Sequence, residues 1–168
     1  MKTETAGKGY PASTSFRVEY GATDAQGRVF YANYLLFFDR GRMAYWERAG
    51  LSEEEIRRIE QETVIAEIHC TYRAPASFYD LVSVHTRIAH VGRSSLRMEF
   101  IVINKSTDVL MAEGSATLVH VDLVANRAVA FTDELKAKMR ALEGCALGCQ
   151  AAGDDVVGRR EDYGPGVG

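Results

Sequence analysis

Residues 19–34, EYGATDAQGRVFYANY, place one carboxylate, Asp24, in a glycine-flanked turn between the end of a strand and the start of a helix. Backbone N–H groups in the first turn of a helix lack intrahelical acceptors and carry partial positive charge. They can therefore hold a developing oxyanion. An acid facing such a group is a minimal kit for acyl-transfer hydrolysis. Asp24 would act as nucleophile, through an acyl–enzyme anhydride, or as general base for water. Gly27 supplies backbone freedom to the loop. Gln26 is a candidate substrate contact. Asn33 either braces the helix start or contacts substrate.

The elements that must position this loop are legible in the flanking pattern. Residues 14–20 alternate Phe16, Val18 and Tyr20 against Ser15, Arg17 and Glu19, which predicts a strand. A helix is predicted from about Phe30 to Ala49, apolar nearly all round in its first half and so buried on several sides. Gly41 inside it predicts close approach of a neighbouring backbone. Gly50 suits the left-handed position that ends a helix, with Leu51 folding back on Trp46. Ser52 and Glu55 have capping-box spacing, with Leu51 and Ile56 as a staple, so a short helix should follow over 53–60.

From Thr63 the period becomes two. Strands are expected from 63 to the stop at Pro75, over 82–88, over 96–103 and over 109–123, with Gly114 as a bulge and turns at Gly92-Arg93 and 104–108. Cys70 falls in the first of these as a small core residue. Thr132 should cap a last helix over 133–142. Tight turns imply that the four strands form a meander. The long helix is the element able to cover one face of that sheet. The expected architecture is α+β, a curved antiparallel sheet of about five strands round one long helix. It forms one domain over 14–143, with a disordered leader over 1–13 and a disordered tail over 144–168.

Composition narrows the function classes. The 168-residue chain has net charge −3 and pI near 5.8, without the basic bias of a nucleic-acid binder. No run approaches the roughly 20 apolar residues of a membrane span, and the N-terminus lacks the apolar core of a secretory signal. The expected location is the cytoplasm. Cys145 and Cys149 lack further partners for a zinc site, and the four histidines, His69, His85, His90 and His120, form no metal-ligand set by spacing. Neither a metal nor a separate cofactor is expected. A GxSxG elbow is missing, which argues against a Ser–His–Asp hydrolase.

The segment TDAQGRVFYANYLLFFDRGR, with the later YRAPASFYDLVSVHTRIAHVGRSSLRMEF, resembles the 4-hydroxybenzoyl-CoA thioesterase family of hotdog-fold proteins over about Phe16 to Leu142. The resemblance implies a hotdog fold, a long central helix wrapped by a five- or six-stranded antiparallel sheet. It implies dimers whose sheets join, often paired into tetramers, with active sites at the dimer interface. It makes Asp24 the catalytic carboxylate and the Tyr31 backbone N–H the group that polarises the thioester carbonyl. The substrate would be an acyl-CoA, coenzyme A being part of the substrate rather than a cofactor. Its phosphates call for basic residues, for which Arg93 with Ser94 is the first candidate and Arg73 and Arg97 follow. Phe30, Tyr34 and Phe37 could line an aroyl or short acyl pocket, or belong to the core. An acyl carrier protein thioesterase and a non-catalytic ligand-binding or scaffold protein are the alternatives. A hotdog dehydratase would want a His near the central helix, and no His lies between Phe16 and Glu60.

Overall fold

The computed structural model describes residues 8–144. The expectations for residues 1–7 and 145–168, including Cys145 and Cys149, lie outside the described residues. The chain runs β1 (Ala12–Arg17), a 3₁₀ turn (Tyr20–Ala22), α1 (Asn33–Arg48), α2 (Glu53–Glu62), β2 (Thr63–Tyr72), β3 (Leu81–Val91), β4 (Ser95–Asn104), β5 (Val109–Asp122), β6 (Arg127–Ala128) and α3 (Asp133–Glu143). The sheet is antiparallel in the order β1-β3-β4-β5-β2, with the short β6 on β5, and it curls round α1. This is the α+β hotdog architecture. Among the described residues no helix is long and apolar enough to cross a membrane.

Helix α1 buries Tyr34, Phe37, Phe38, Gly41, Tyr45 and Trp46, a stripe at spacings of three and four against the sheet. Phe38 stacks on Phe100 at 4.7 Å, and Tyr45 and Trp46 are fully buried. Deleting an aromatic ring of that kind typically costs about 3–5 kcal/mol. Leu36, on the opposite face, is exposed, so the first half of the helix is not buried all round. The helix also begins at Asn33 rather than Phe30. Residues 30–32 form a tighter entry turn, with the Asn33 and Leu35 N–H groups donating to the Phe30 and Ala32 carbonyls.

The α1–α2 junction follows its local signals. Gly50 has φ +77°, its N–H donates to the Glu47 carbonyl, and the Leu51 N–H donates to the Trp46 carbonyl. Ser52 and Glu55 close a reciprocal capping box at 2.7 and 3.3 Å. Glu60 of α2 then accepts from the Trp46 indole N–H and from Arg42, at 3.0 and 2.8 Å, fastening the two helices together.

Several expectations are corrected. β1 starts at Ala12, inside the segment read as a leader, because Ala12 is buried opposite Thr86 and the Tyr10 ring lies under the Arg87 guanidinium. It ends at Arg17, where the chain turns into the 3₁₀ segment. The four later strands are not a simple meander: only β3, β4 and β5 are. β2 lies at the far edge beside β5, and the connection over 73–80 crosses to β3. A connection of that length does not force its strands to be neighbours, as a two-residue turn would.

β2 is consequently an edge strand, and Val64, Ile65, Ile68 and Tyr72 are exposed. Cys70 is only partly buried. Gly114 is not a bulge: it pairs in regular register with both Cys70 and Phe100. Its bare Cα seats the Phe38 ring, whose nearest atom would lie 2.6 Å from an added Cβ. Register shifts fall instead at 65/67, 88/90 and 102/103. At Gly41 the close neighbours are side chains, Thr86 and Val84, not backbone.

Candidate active site

The Asp24 loop is a small hairpin. The Asp24 N–H donates to the Arg28 carbonyl at 2.8 Å, and the Phe30 N–H to the Ala22 carbonyl at 2.9 Å. Thr23 bridges Val29, and Arg28 bridges Ser77 in the β2–β3 connection. Gly27 takes φ +72°, the left-handed conformation this tight turn requires. Asp24 Oδ1 accepts the N–H groups of Gln26 and Arg28, at 2.8 and 3.3 Å, in an Asx turn. Its other oxygen, Oδ2, has no partner among the described residues. One oxygen fixes the loop and the other is free for chemistry.

The hairpin delivers the chain directly into the entry turn of α1. There the Phe30 carbonyl accepts the Asn33 N–H at 2.8 Å. The Tyr31 N–H finds no acceptor among the described residues. Such an N–H, just ahead of a 16-residue helix, lies at the positive end of its dipole, where an anionic oxygen would be favoured.

Asp24 and Tyr31 line one cleft of about 290 Å³, together with Arg28, Val29, Tyr34, Tyr72, Arg73, Ala74 and Pro75. The Tyr72 hydroxyl donates to the Tyr31 carbonyl at 3.0 Å, and its ring meets that of Tyr34 edge-on at 5.3 Å. Burial and the neighbouring Cys70 push the Tyr72 phenol up to about 12. Tyr34 is buried, its oxygen accepting the Ala76 N–H at 3.1 Å, and burial raises its pKa. Arg73 pairs through Nε with Glu113 at 2.8 Å, so its charge is matched. The Arg28 guanidinium has no partner among the described residues.

The other residues singled out from sequence divide. Gln26 and Gly27 sit in the loop, exposed, with the Gln26 N–H engaged by Asp24. Asn33 turns away from the cleft: its Nδ2 donates to the Ala22 carbonyl at 2.8 Å, and it lines a separate 150 Å³ hollow beside Arg40. It braces the loop against the helix. Phe30 is half-exposed against the Tyr31 ring, and Phe37 is core, edge-on to Phe16. Arg93 and Ser94 are in the β3–β4 hairpin, at the opposite end of the sheet, where their carbonyls accept the Phe131 and His120 N–H groups. Within one chain they do not meet Asp24. Arg97 also lies away from the cleft, on β4 with Ser115.

Sequence reasoning overlooked Tyr72 and Arg28. Arg28 adjoins Gly27 in the loop motif, a signal that was available. Tyr72 ends an alternating strand, and nothing local says that this strand end faces the helix start.

The sequence model of the thioesterase-like superfamily matches residues 18–139. An acyl-CoA thioesterase YbgC from Haemophilus influenzae is 28% identical over 128 residues, 76% of this chain and 93% of that protein. A Thermus thermophilus thioesterase solved with coenzyme A and zinc superposes with TM-score 0.72 at 29% identity, over 82% of this chain and 97% of its own. A solved gentisyl-coenzyme A thioesterase superposes with TM-score 0.64 at 26% identity, over 74% of this chain and 97% of its own. The chain belongs to the thioesterase-like superfamily. It is an enzyme of the hotdog thioester-hydrolase class.

Proposed function

We propose that the protein hydrolyses acyl-CoA thioesters to the free acid and coenzyme A, as a thioesterase of the 4-hydroxybenzoyl-CoA type. The carrying observation is the pairing in one cleft of a carboxylate oxygen without a partner, Asp24 Oδ2, with an N–H without an acceptor, that of Tyr31. The relatives named for acyl-CoA hydrolysis, and the related thioesterase solved with coenzyme A, support the substrate class.

The thioester carbonyl oxygen sits on the Tyr31 N–H. Negative charge developing there in the transition state is held by that N–H and by the helix dipole. One such donor is typically worth about 2.7–4 kcal/mol. Asp24 Oδ2 either attacks the carbonyl carbon, expelling the CoA thiolate and leaving an anhydride that water opens, or takes a proton from water as water attacks. Single-turnover hydrolysis in oxygen-18 water separates these routes. The anhydride route labels the Asp24 carboxylate when water attacks at the enzyme carbonyl, or leaves an acyl–enzyme that can be trapped; the base route labels only the product acid.

The free edge of β2 supports a dimer. A ten-residue strand edge that exposes Val64, Ile65, Ile68 and Tyr72 is an open template for pairing, and a second copy laid antiparallel along it would continue the sheet. That pairing brings the partner's Arg93 and Ser94, from the far end of its sheet, to the end that carries the Asp24 cleft. It gives those residues a route to the CoA phosphates. Two such dimers paired form the proposed tetramer, and light scattering reads the size directly. Tyr34 and Tyr72 in the cleft wall favour an aroyl or short acyl group, as does the likeness to a gentisyl-coenzyme A thioesterase. A CoA-thioester substrate supports the cytoplasmic location expected of the enzyme.

The test is thiol release from a panel of aroyl-, short acyl- and long acyl-CoA thioesters and from acylated carrier protein, with Asp24→Asn alongside. Turnover of CoA thioesters that is lost in the variant is expected. Full activity in Asp24→Asn would remove Asp24 from the chemistry. Binding without turnover on every thioester would make the protein a ligand-binding hotdog, and turnover of the carrier-protein thioester alone would change the substrate class.

A further inference from the structure

We infer that Tyr72 is a positioning residue for the oxyanion site, acting through the Tyr31 peptide carbonyl and not on the substrate. The inference rests on the reading of the Tyr31 N–H as the oxyanion donor and deepens it.

The argument starts from where the Tyr31 carbonyl finds its hydrogen bonds. In a regular α-helix the carbonyl of residue 31 would accept the N–H of residue 35. Here the Leu35 N–H goes to the Ala32 carbonyl at 3.1 Å, because the entry turn is wound more tightly. The Tyr31 carbonyl keeps only a long 3.4 Å contact from the Tyr34 N–H. Its principal donor comes from 41 positions along the chain: the Tyr72 hydroxyl, at 3.0 Å.

That bond does two things. It fixes the plane of the peptide that follows residue 31, and hence the orientation of a residue held by few other bonds. It also polarises that peptide unit, whose N–H belongs to Ala32 and, like that of Tyr31, has no acceptor among the described residues. A donor aimed at a developing charge lowers the barrier only if it is already in place before the charge appears. The Tyr72 ring is held for this role by its edge-on contact with buried Tyr34. The phenol is a neutral donor throughout the working pH range, since burial and Cys70 hold its ionisation near 12.

Tyr72→Phe keeps the ring and removes the hydroxyl. A net neutral hydrogen bond corresponds to a rate factor of about two- to tenfold. The expected result is a fall of that size in kcat, with KM for the acyl-CoA, the thermal midpoint and the oligomeric size unchanged. The second variant replaces Tyr72 with a fluorinated tyrosine, whose phenol is more acidic. Its kcat should match or exceed wild type at neutral pH. It should then fall at alkaline pH, on a limb absent from wild type, as the weaker phenol loses the proton it donates. A purely structural latch would lower the thermal midpoint together with kcat on that limb, whereas here the midpoint should hold.

An unchanged kcat in Tyr72→Phe overturns the inference. So does a loss confined to KM, which would make Tyr72 a substrate contact. A fluorotyrosine enzyme that behaves as Tyr72→Phe at neutral pH overturns it as well. Asp24→Asn in the same assay keeps the two readings apart: if that variant is fully active the parent mechanism fails, whatever Tyr72 does.

Discussion

At the end of the sheet where β3 turns into β4, polar side chains answer one another. The Ser52–Glu55 box is extended by Lys138, which reaches Glu55 at 2.6 Å. His120 faces the Val129 and Ala130 carbonyls through Nδ1 and Glu62 through Nε2, each at 3.2 Å. The Glu143 carboxylate accepts the Ile88 N–H at 2.6 Å, beside the register shift at 88/90. At the other end, where the chain enters α1, one Asp24 oxygen and the Tyr31 N–H have no partner among the described residues. Both ends contain helix starts and acids. They differ in whether the protein supplies the missing partner. Where it does, the groups contribute to stability; where it does not, they are available to a ligand. Substitutions at the two ends should therefore separate activity from stability.

The largest effect expected is on activity alone. Asp24→Asn keeps an oxygen to accept the Gln26 and Arg28 N–H groups, so the loop should hold its shape. The carboxylate chemistry goes, and turnover should fall by about 100- to 10,000-fold. Thermal melting beside kinetics checks the comparison: a collapse of the melting midpoint would mean that the loop acid is structural. Next is Gly114→Ala, which belongs to neither end. An added Cβ would press on the Phe38 ring and the His69 carbonyl, and overpacking of this kind typically costs about 1–3 kcal/mol. Urea unfolding reads that cost, and a neutral result would mean that the sheet yields there without penalty.

At the satisfied end the sharper probe is pH. Lys138, with the Ser52 N–H and hydroxyl, holds the Glu55 carboxyl down to about 2, from 4.5. A carboxylate with a depressed folded pKa contributes stability that is fully present above its unfolded value. That contribution is lost as pH falls from there towards about 2. Glu55→Gln should thus be less stable than wild type at neutral pH and converge with it in acid. Chemical denaturation at a series of pH values measures the gap, and a gap independent of pH would contradict the assignment. The smallest expected effect is at the free end. Tyr31→Phe leaves the backbone N–H intact and keeps the ring that lines the cleft, and kcat/KM should stay within about twofold of wild type. A large loss would transfer the role from the main chain to the ring.

What could be read from sequence was local. The capping box at Ser52, the glycine stop at Gly50, the Thr132 cap and the Asp24–Gly27 loop each depend on residues a few positions apart. What could not be read depended on distant pairings. Alternation in β2 announced a strand, but not that it would leave β3 and take the outer edge beside β5, which leaves Val64, Ile65, Ile68 and Tyr72 exposed. Gly114 announced an irregularity, but the ring that needs its space is on α1. Tyr72 reaches the active-site loop only because β2 ends beside the helix start. For the candidate site, the Asp24–Gly27 loop and the helix entry were therefore legible, and the contact from Tyr72 to the Tyr31 carbonyl was not.

Gly114 sits across from Cys70, two residue pairs along the ladder from the pair Tyr72 and Ala112 that closes the strand. By letting the Phe38 ring nestle onto bare main chain, it sets how tightly the sheet bends over the central helix. Two pairs further along, Tyr72 of β2 reaches the entry turn of α1. A position with no side chain, remote from the Asp24 loop, thereby bears on the width of the cleft proposed to take the thioester.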